Sequence, residues 1–178
     1  MLLRPYAPSD LEALLAIYSR PDVVRFLYYE TRDEDEVREL LAKKVAQRSL
    51  DEPGDVLALA VVLKANGRVI GDVILAWLDN EHHQGEIGYV IHPDHQGKGY
   101  AKEAAKVLLR IAFEDAGFHR VIGSLDSRNE ASAALMEGIG MRREAHFVEN
   151  EFVKGEWQSE VVYAILESEW NTKKKKKR

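Results

Sequence analysis

The feature that most constrains the fold is a glycine-containing turn between a predicted strand, residues 86–91, and a predicted helix, residues 99–116. Gly97 and Gly99 allow backbone conformations that other residues avoid, and they let a ligand approach the chain closely. The first turn of the helix adds unpaired N–H groups and the positive end of its dipole. The sequence therefore predicts a cradle suited to an anion such as a pyrophosphate.

Three classes of phosphate ligand use turns of this kind. The P-loop pattern G-x-x-x-x-G-K-[ST] is absent from the chain. A dinucleotide fingerprint, G-x-G-x-x-G, would need a glycine where Lys102 stands. Its glycines also follow the first parallel strand of their fold, whereas three consecutive strands precede the turn here. The third candidate is coenzyme A.

The remaining patterns predict a mixed α/β fold, close to α+β, with helices on both faces of one sheet. Two helices, the first ended by Pro21 and the second from about Asp33, precede a strand hairpin with a turn at Asn66-Gly67. The complete predicted order is β-α-α-β-β-β-α-β-α-β-β. We expect a single domain over residues 1–170 and a flexible basic tail over residues 171–178.

Charge and composition exclude several classes of protein. The 178 residues carry a formal charge of −5, but Lys173–Arg178 contribute +6, so residues 1–172 carry −11. An acidic body favours cationic partners and makes nucleic acid an unlikely ligand except weakly through the tail. The absence of cysteine excludes disulfide scaffolds and thiolate catalysis, and it makes the cytoplasm the expected location. No apolar run is long enough to span a bilayer, so we expect no membrane partner.

Several short motifs occur in a fixed order along the chain. Gln96–Ala101 matches the signature Q/R-x-x-G-x-G/A of the GCN5-related N-acetyltransferases (GNAT). Glu86–Tyr89, Asn129–Arg142 and Trp157–Trp170 are similar to the RimJ/RimL branch of that superfamily, so the resemblance covers residues 2–170. It implies a GNAT fold with a central, mostly antiparallel sheet of six to seven strands. This sheet would be splayed at the acetyl-CoA site and flanked by about four helices.

The resemblance implies acetyl-CoA as the acyl donor. In this family the strand before the turn leaves its neighbour at a β-bulge, and its free backbone groups pair with pantetheine. The N–H groups of the turn bind the pyrophosphate, and an asparagine binds the pantetheine arm. The matching residues are Tyr89, Val90, Ile91, Gln96, Gly97, Lys98, Gly99, Tyr100, Ala101 and Asn129. Asn129 could equally be an ordinary helix N-cap. The six histidines lack an accompanying carboxylate cluster at ligand spacing, so we expect no metal site.

For catalysis the resemblance implies direct attack of a primary amine on the thioester in a ternary complex. Ser132 matches the RimJ/RimL serine that protonates the departing sulfur, and it also belongs to the expected cofactor site. Many other members use a tyrosine four positions later, where this chain has Met136, and Tyr163 is a second candidate donor. Glu86 is the candidate general base, with a solvated strand-end carboxylate as its alternative role. A backbone N–H near Val90 or Ile91 could face the thioester oxygen.

The acceptor is the least constrained part of the prediction. Tyr28, Tyr29 and Trp77 could line its pocket or could be core or interface aromatics, and residues 26–30 border the acceptor site in this family. A protein N-terminus, an antibiotic amine, a polyamine and an amino sugar are all acceptors of the expected cationic type. The alternatives are a non-catalytic CoA-binding sensor and a donor such as succinyl-CoA. Homodimers are common in the family, and edges of this chain could pair in the same way.

Overall fold

The computed structural model describes the backbone of residues 1–175 and the side chains of residues 1–172, and the described chain forms seven strands and six helices. The strands are β1 Leu2–Pro5, β2 Val56–Val62, β3 Val69–Asp79, β4 Gln84–Ile91, β5 Arg120–Asp126, β6 Arg142–Val153 and β7 Glu156–Leu166. The helices are α1 Leu11–Tyr18, α2 Pro21–Val24, α3 Glu34–Ala46, α4 Tyr100–Arg110, α5 Glu130–Ile139 and α6 Glu167–Lys175.

All seven strands belong to one sheet in the order β1-β2-β3-β4-β5-β7-β6. Every neighbouring pair is antiparallel except β4 and β5, which are parallel. The β4–β5 pairing covers only residues 84–86 and 120–122, and beyond it the two strands diverge. The mixed α/β class, the strand number and the splayed, mostly antiparallel sheet that the resemblance implied are therefore confirmed.

We call this divergence of β4 from β5 the splay. It does not arise from a β-bulge in β4, as the family resemblance had implied. Pairing between β4 and β3 keeps one register from Gly85 to Ile91, and the register shift in this pair lies between Trp77 and Asp79 of β3. β5 likewise stays paired with β7 as far as Asp126. Because each strand keeps its outer partner, the gap is a divergence of the two halves of the sheet.

Helices cover both faces of the sheet, and alternation along the strands divides the core into two clusters. In β2, Leu59 and Val61 face the cluster under α4 and α5, whereas Ala58, Ala60 and Val62 face the cluster under α1 and α3. α1 and α3 pack over β2 and β3, whereas α4 packs over β3 and β4 and α5 over β5 and β6. We call the two sides of the sheet the α4/α5 face and the α1/α3 face.

A buried charged network fixes α1 and α3 to the sheet. The carboxylate of Asp72 in β3 accepts hydrogen bonds from the Tyr6 hydroxyl (2.9 Å), the Tyr18 hydroxyl (2.6 Å) and the Lys44 ammonium (2.7 Å). A buried carboxylate is tolerated when such partners satisfy it. Asp72 lies directly opposite Val90 of β4, so the network also holds the strand that borders the splay.

The structure has two helices more than the four that were predicted, α2 and α6. Pro21 begins α2 as well as ending α1, because proline fits the first turn of a helix. α6 continues through residues 171–175, into the segment assigned to the tail, while residues 176–178 lie outside the described residues. The domain boundary, the flexibility of the tail and its weak affinity for nucleic acid stay predictions. Within the described part of the chain, no helix has the length and apolar character to span a membrane.

Candidate active site

A cleft of about 540 Å³ opens at the splay between β4 and β5. Four segments form it: α2 with the residues that follow, the end of β4, the glycine-containing turn with the start of α4, and the first turns of α5. The sequence-predicted residues that line the cleft are Tyr89, Val90, Ile91, Gln96, Gly97, Gly99, Tyr100, Ala101, Asn129 and Ser132. The topology thus brings together nearly the whole predicted cofactor site, in a cleft large enough for a small-molecule ligand.

The turn fits a phosphate group. Gly97 (φ 70°) and Gly99 (φ 83°) both adopt the left-handed conformation, and a Cβ atom at either position would meet no atom within 4 Å. The open space beside the backbone is therefore available to a ligand. The first intrahelical bond of α4 runs from the N–H of Glu103 to the carbonyl of Gly99 (3.0 Å). The N–H groups of residues 100–102 precede that bond and face the N-terminal end of the helix.

Two residues of the predicted cradle do other work. The N–H of Gln96 donates to the Pro93 carbonyl (3.1 Å), and its side-chain amide donates to the Ile91 carbonyl (2.9 Å). Gln96 therefore fixes the turn against the end of β4, and the free N–H groups begin at Gly97. Lys98 directs its ammonium back to the Asp94 carbonyl (2.7 Å) and does not line the cleft.

The edge of β4 offers backbone groups to the cleft at alternate residues. The N–H of His92 donates to the Ile70 carbonyl of β3 (2.8 Å). The alternation of antiparallel pairs then turns the backbone groups of Val90 toward β3 and those of Tyr89 and Ile91 toward the splay. Two of the three predicted pantetheine partners, Tyr89 and Ile91, thus have backbone groups that face the cleft. Val90 lines the cleft, but its backbone groups bond to β3.

The start of α5 carries the polar side chains of the cleft. The Asn129 side-chain carbonyl accepts the N–H of Ser132 (3.1 Å), which is the N-cap role, and no hydrogen bond within residues 1–172 engages its amide nitrogen. The Ser132 hydroxyl lies 2.5 Å from the Tyr89 hydroxyl across the splay. Tyr163, the second candidate donor, is buried in the core and donates to Glu137 (3.2 Å), away from the cleft.

Glu86 marks the base of the splay. It is the last residue of β4 that pairs with β5, opposite Ile122. Alternation along β4 places its side chain on the α1/α3 face, whereas Tyr89 and the α5 residue Ser132 lie on the α4/α5 side. Glu86 is outside the lining of the cleft itself. The candidate base and the candidate acid therefore lie on opposite sides of the sheet.

The three aromatic candidates for the acceptor pocket are not brought together. Trp77 packs on Phe118 (5.7 Å between ring centroids) in the core on the α4/α5 face and does not line the cleft, which favours the core role that the sequence had left open for it. Tyr29 packs against Tyr18 (6.0 Å) beside α1. Tyr28 alone remains on the surface, 42% exposed. The sequence could not distinguish a core aromatic from one at the edge of the acceptor pocket, because both occur at apolar positions of the same spacing.

A group of acidic side chains, which the sequence did not indicate, lies beside Tyr28 on the α1/α3 face. The Tyr28 hydroxyl donates to Glu160 (3.1 Å), which lies opposite Asp126 in the β5–β7 ladder. Arg128 binds Asp126 (2.7 Å) and Glu156 (2.8 Å). Burial and the Glu160 carboxylate raise the pKa of Tyr28, and although burial opposes it, the hydrogen bonds from Arg128 lower the pKa of Asp126. Because Tyr28 and Glu160 are far apart in the chain, no local motif could have found them.

Sequence reasoning also missed part of the cleft wall. Val23, from the one-turn helix α2 that was not predicted, forms one side of it together with Leu27, which lies in the stretch 26–30 expected beside the acceptor. His95 lies beside the turn with its Nε2 atom buried and unpartnered among the described residues, and burial together with Lys98 lowers its pKa. In the described part of the chain, no group of three or more histidine, aspartate or glutamate side chains could hold a metal ion.

Comparisons with known proteins agree with this geometry. The family described as acetyltransferase (GNAT) domain matches residues 1–142. N-acetyltransferase YnaD from Bacillus subtilis is 32% identical over 96% of each chain, and spermidine N(1)-acetyltransferase from Vibrio cholerae is 26% identical over 96% of this chain and 95% of that one. The crystal structure of a GNAT-family acetyltransferase from Bacillus anthracis matches with a TM-score of 0.84 at 30% identity, over 94% of this chain and 95% of that one. The chain therefore belongs to the GNAT acetyltransferase family and is an acetyl-CoA-dependent N-acetyltransferase.

Proposed function

We propose that the enzyme acetylates a primary amine of a small cationic acceptor of the polyamine type, by direct attack in a ternary complex. The observation that carries the proposal is the splay between β4 and β5, with Glu86 on one face of the sheet and Ser132 on the other. Acetyl-CoA would enter from the α4/α5 face and the acceptor from the α1/α3 face. The two substrates then meet in the gap without sharing a binding surface.

On the donor side, the chain's own backbone does most of the binding. The N–H groups from Gly97 to Lys102 would hold the pyrophosphate at the helix end. The backbone groups of Tyr89 and the carbonyl of Ile91 would pair with pantetheine as an added strand does. The free amide nitrogen of Asn129 would donate to a pantetheine carbonyl while its oxygen caps α5. When bound, acetyl-CoA supplies a thioester whose carbonyl carbon is open to attack.

The proton movements need a base and an acid. An alkylamine has a pKa near 10.4 and is protonated at neutral pH, so it must lose a proton before it can attack. Glu86 would accept that proton directly or through water, at the acceptor side of the gap. Ser132 would donate a proton to the sulfur at the donor side, and the backbone N–H of Ile91 would stabilise the oxyanion.

The acidic group on the α1/α3 face supports the cationic acceptor. Glu160 and Asp126 lie next to each other there, the positive charge of Arg128 offsets this negative charge only in part, and Tyr28 adds a hydrogen bond but no charge. A second amino group of the acceptor could bind this surface while the reacting amine lies in the gap. The similarity to spermidine N(1)-acetyltransferase supports the same class of acceptor.

Thiol release from acetyl-CoA tests the proposal, with spermidine, a peptide with a free N-terminus and an uncharged amine as acceptors. We expect the largest kcat/KM with spermidine and a decrease as salt is added, because screening weakens attraction between charges. A preference for the peptide, or insensitivity to salt, would refute the cationic acceptor. Binding of acetyl-CoA without thiol release from any amine would identify a sensor, and faster turnover with succinyl-CoA would change the donor.

The finer assignments also stay proposals. The motif from Asn129 to Arg142 supports the RimJ/RimL-like branch. We further propose a single catalytic domain, a homodimer and a cytoplasmic location. Analytical ultracentrifugation of the full chain at micromolar concentration tests the dimer, and a sedimentation coefficient of a 20.2 kDa monomer would refute it.

A further inference from the structure

Tyr89 connects the two strands that diverge at the splay. Its ring lies on the α4/α5 face of β4, and its hydroxyl reaches Ser132 in the first turn of α5, the helix that follows β5. The O–O distance of 2.5 Å is short for a hydrogen bond between two hydroxyl groups. Both residues line the cleft, so the bond lies in the proposed acetyl-CoA site.

The direction of this bond follows from acidity. A phenol is a much stronger acid than an aliphatic alcohol, so Tyr89 is the better donor and Ser132 the better acceptor. The carbonyl of Ser132 lies 3.4 Å from the Tyr89 hydroxyl, a much longer contact than the one to the serine hydroxyl. With its oxygen lone pair engaged by Tyr89, the Ser132 hydroxyl is left to direct its own proton into the cleft.

The other two positions considered for the acid do not supply a donor to this part of the cleft. Met136, one turn further along α5, is buried with its methyl group against Gly123 of β5. Tyr163 is buried and bonded to Glu137. A serine hydroxyl alone ionises too weakly to give its proton completely to a thiolate, whose acid has a pKa near 8.5. A phenol hydrogen-bonded behind it reduces that difficulty, because a phenol with a pKa near 10 is a much stronger acid than an aliphatic alcohol.

We propose that Tyr89 is a positioning residue for acetyl transfer: it orients the Ser132 hydroxyl toward the sulfur and replaces the proton that Ser132 gives up. The C–N bond forms and the C–S bond breaks, with its electron pair going to sulfur. Sulfur takes the Ser132 proton as Ser132 takes the Tyr89 proton. The phenolate regains a proton from solvent, into which Glu86 releases the proton of the amine. This inference rests on the proposed roles of Ser132 and Glu86.

Burial keeps the resting pair protonated. It raises the pKa of Tyr89, although the hydrogen bond with Ser132 opposes the shift. Tyr89 therefore holds its proton at every pH up to its ordinary value near 10 and returns to that state after each turnover. A tyrosine that only stabilised the structure of the splay would form the same resting hydrogen bond. The tests must therefore measure proton transfer to sulfur or stabilisation of its thiolate.

The first test is a kinetic double-mutant cycle with Tyr89→Phe, Ser132→Ala and the double variant. General acid catalysis contributes about 100-fold or more, and we expect Tyr89→Phe alone to lower kcat about 10-fold or more with the dissociation constant of acetyl-CoA unchanged. In the Ser132→Ala background the same change should have almost no effect. An equal loss in both backgrounds, or a loss seen only in acetyl-CoA affinity, would overturn the inference and leave Tyr89 as a brace.

The second test needs no acceptor, so it still decides the inference if the proposed amine is wrong. The thiol of bound CoA is titrated by the ultraviolet absorbance of its thiolate. A donor aimed at sulfur stabilises the thiolate, so we expect Tyr89→Phe and Ser132→Ala each to raise the pKa of the bound thiol, and the double variant to add nothing further. Lys102 and His95 also line the cleft, but they are the same in every variant. Identical titrations of wild type and Tyr89→Phe would contradict the proposal.

Discussion

The donor side and the acceptor side of the splay are built in different ways. The donor side consists mainly of backbone: the turn at Gly97 and Gly99, the edge of β4 and the capped start of α5. The acceptor side consists of side chains that come from distant parts of the chain, with Tyr28 after α2 bonded to Glu160 of β7. Backbone geometry binds what all acetyl-CoA enzymes share, whereas the side chains across the sheet can differ between acceptors.

This difference makes the two sides separable by mutation. Changes in the glycine-containing turn of the donor side should alter the affinity for acetyl-CoA, and changes on the acceptor side should alter the KM of the amine. Glu86 lies between them, at the base of the gap, and should affect the chemical step alone. The following mutations test whether the donor side and the acceptor side act independently.

The largest effect is expected for Glu86→Gln, which removes the base and keeps the shape of the side chain. We expect kcat to fall about 100-fold while the dissociation constant of acetyl-CoA stays unchanged. Glu39→Gln, on the exposed surface of α3, removes the same charge away from the cleft and serves as the control. Equal turnover of both variants across pH 6–9 would remove Glu86 from the mechanism.

Next in size is Gly97→Ala, which places a Cβ atom beside the anion cradle and strains a left-handed residue. The strain costs about 1–2 kcal/mol, and we expect acetyl-CoA affinity to fall about 10-fold or more in calorimetric titration. Gly117→Ala is a matched control, because its φ of 68° is close to the 70° of Gly97 and its Cβ would also meet no atom within 4 Å. Both variants should lose similar thermal stability, and equal acetyl-CoA affinity in the two would exclude the turn as the phosphate site.

A smaller effect is expected on the acceptor side for Glu160→Gln. An exposed ion pair contributes up to about 1 kcal/mol, so the KM of a polyamine should rise by up to about 5-fold, and less at high salt. Acetyl-CoA affinity should not change. If Glu160→Gln instead weakened acetyl-CoA binding, the two sides would not be independent.

The smallest effect concerns acid stability on the acceptor side. The pKa of Asp126 is lowered in the folded chain, so its contribution to the free energy of unfolding is present above the ordinary aspartate pKa of about 3.9 and is lost as pH falls through the folded value. We expect Asp126→Asn to lose less stability than wild type over that interval, by up to about 1 kcal/mol. Identical acid titrations by circular dichroism would exclude this contribution.

The same division explains what the sequence could predict. Gly97, Gly99 and Asn129 belong to short local motifs; the pattern of strands and helices predicted the mixed α/β class, and the family resemblance implied the splayed sheet that joins them. For Trp77 and Tyr28 the residue type alone left the acceptor pocket and the core as equal alternatives; Trp77 packs in the core, whereas Tyr28 bonds a strand more than a hundred residues away. The hydrogen bond between Tyr89 and Ser132 was equally invisible, because Tyr89 was assigned only through its backbone.

The most direct test of the central claim is a crystal structure of the full chain with acetyl-CoA. We expect the pyrophosphate on the N–H groups from Gly97 to Lys102, pantetheine between β4 and β5, and the sulfur within hydrogen-bond distance of the Ser132 hydroxyl. The acetyl carbon should lie in the gap with Glu86 on its far side. A sulfur that lies on the α1/α3 face with Glu86, or a pyrophosphate bound away from the turn, would contradict the division of the site into a donor face and an acceptor face.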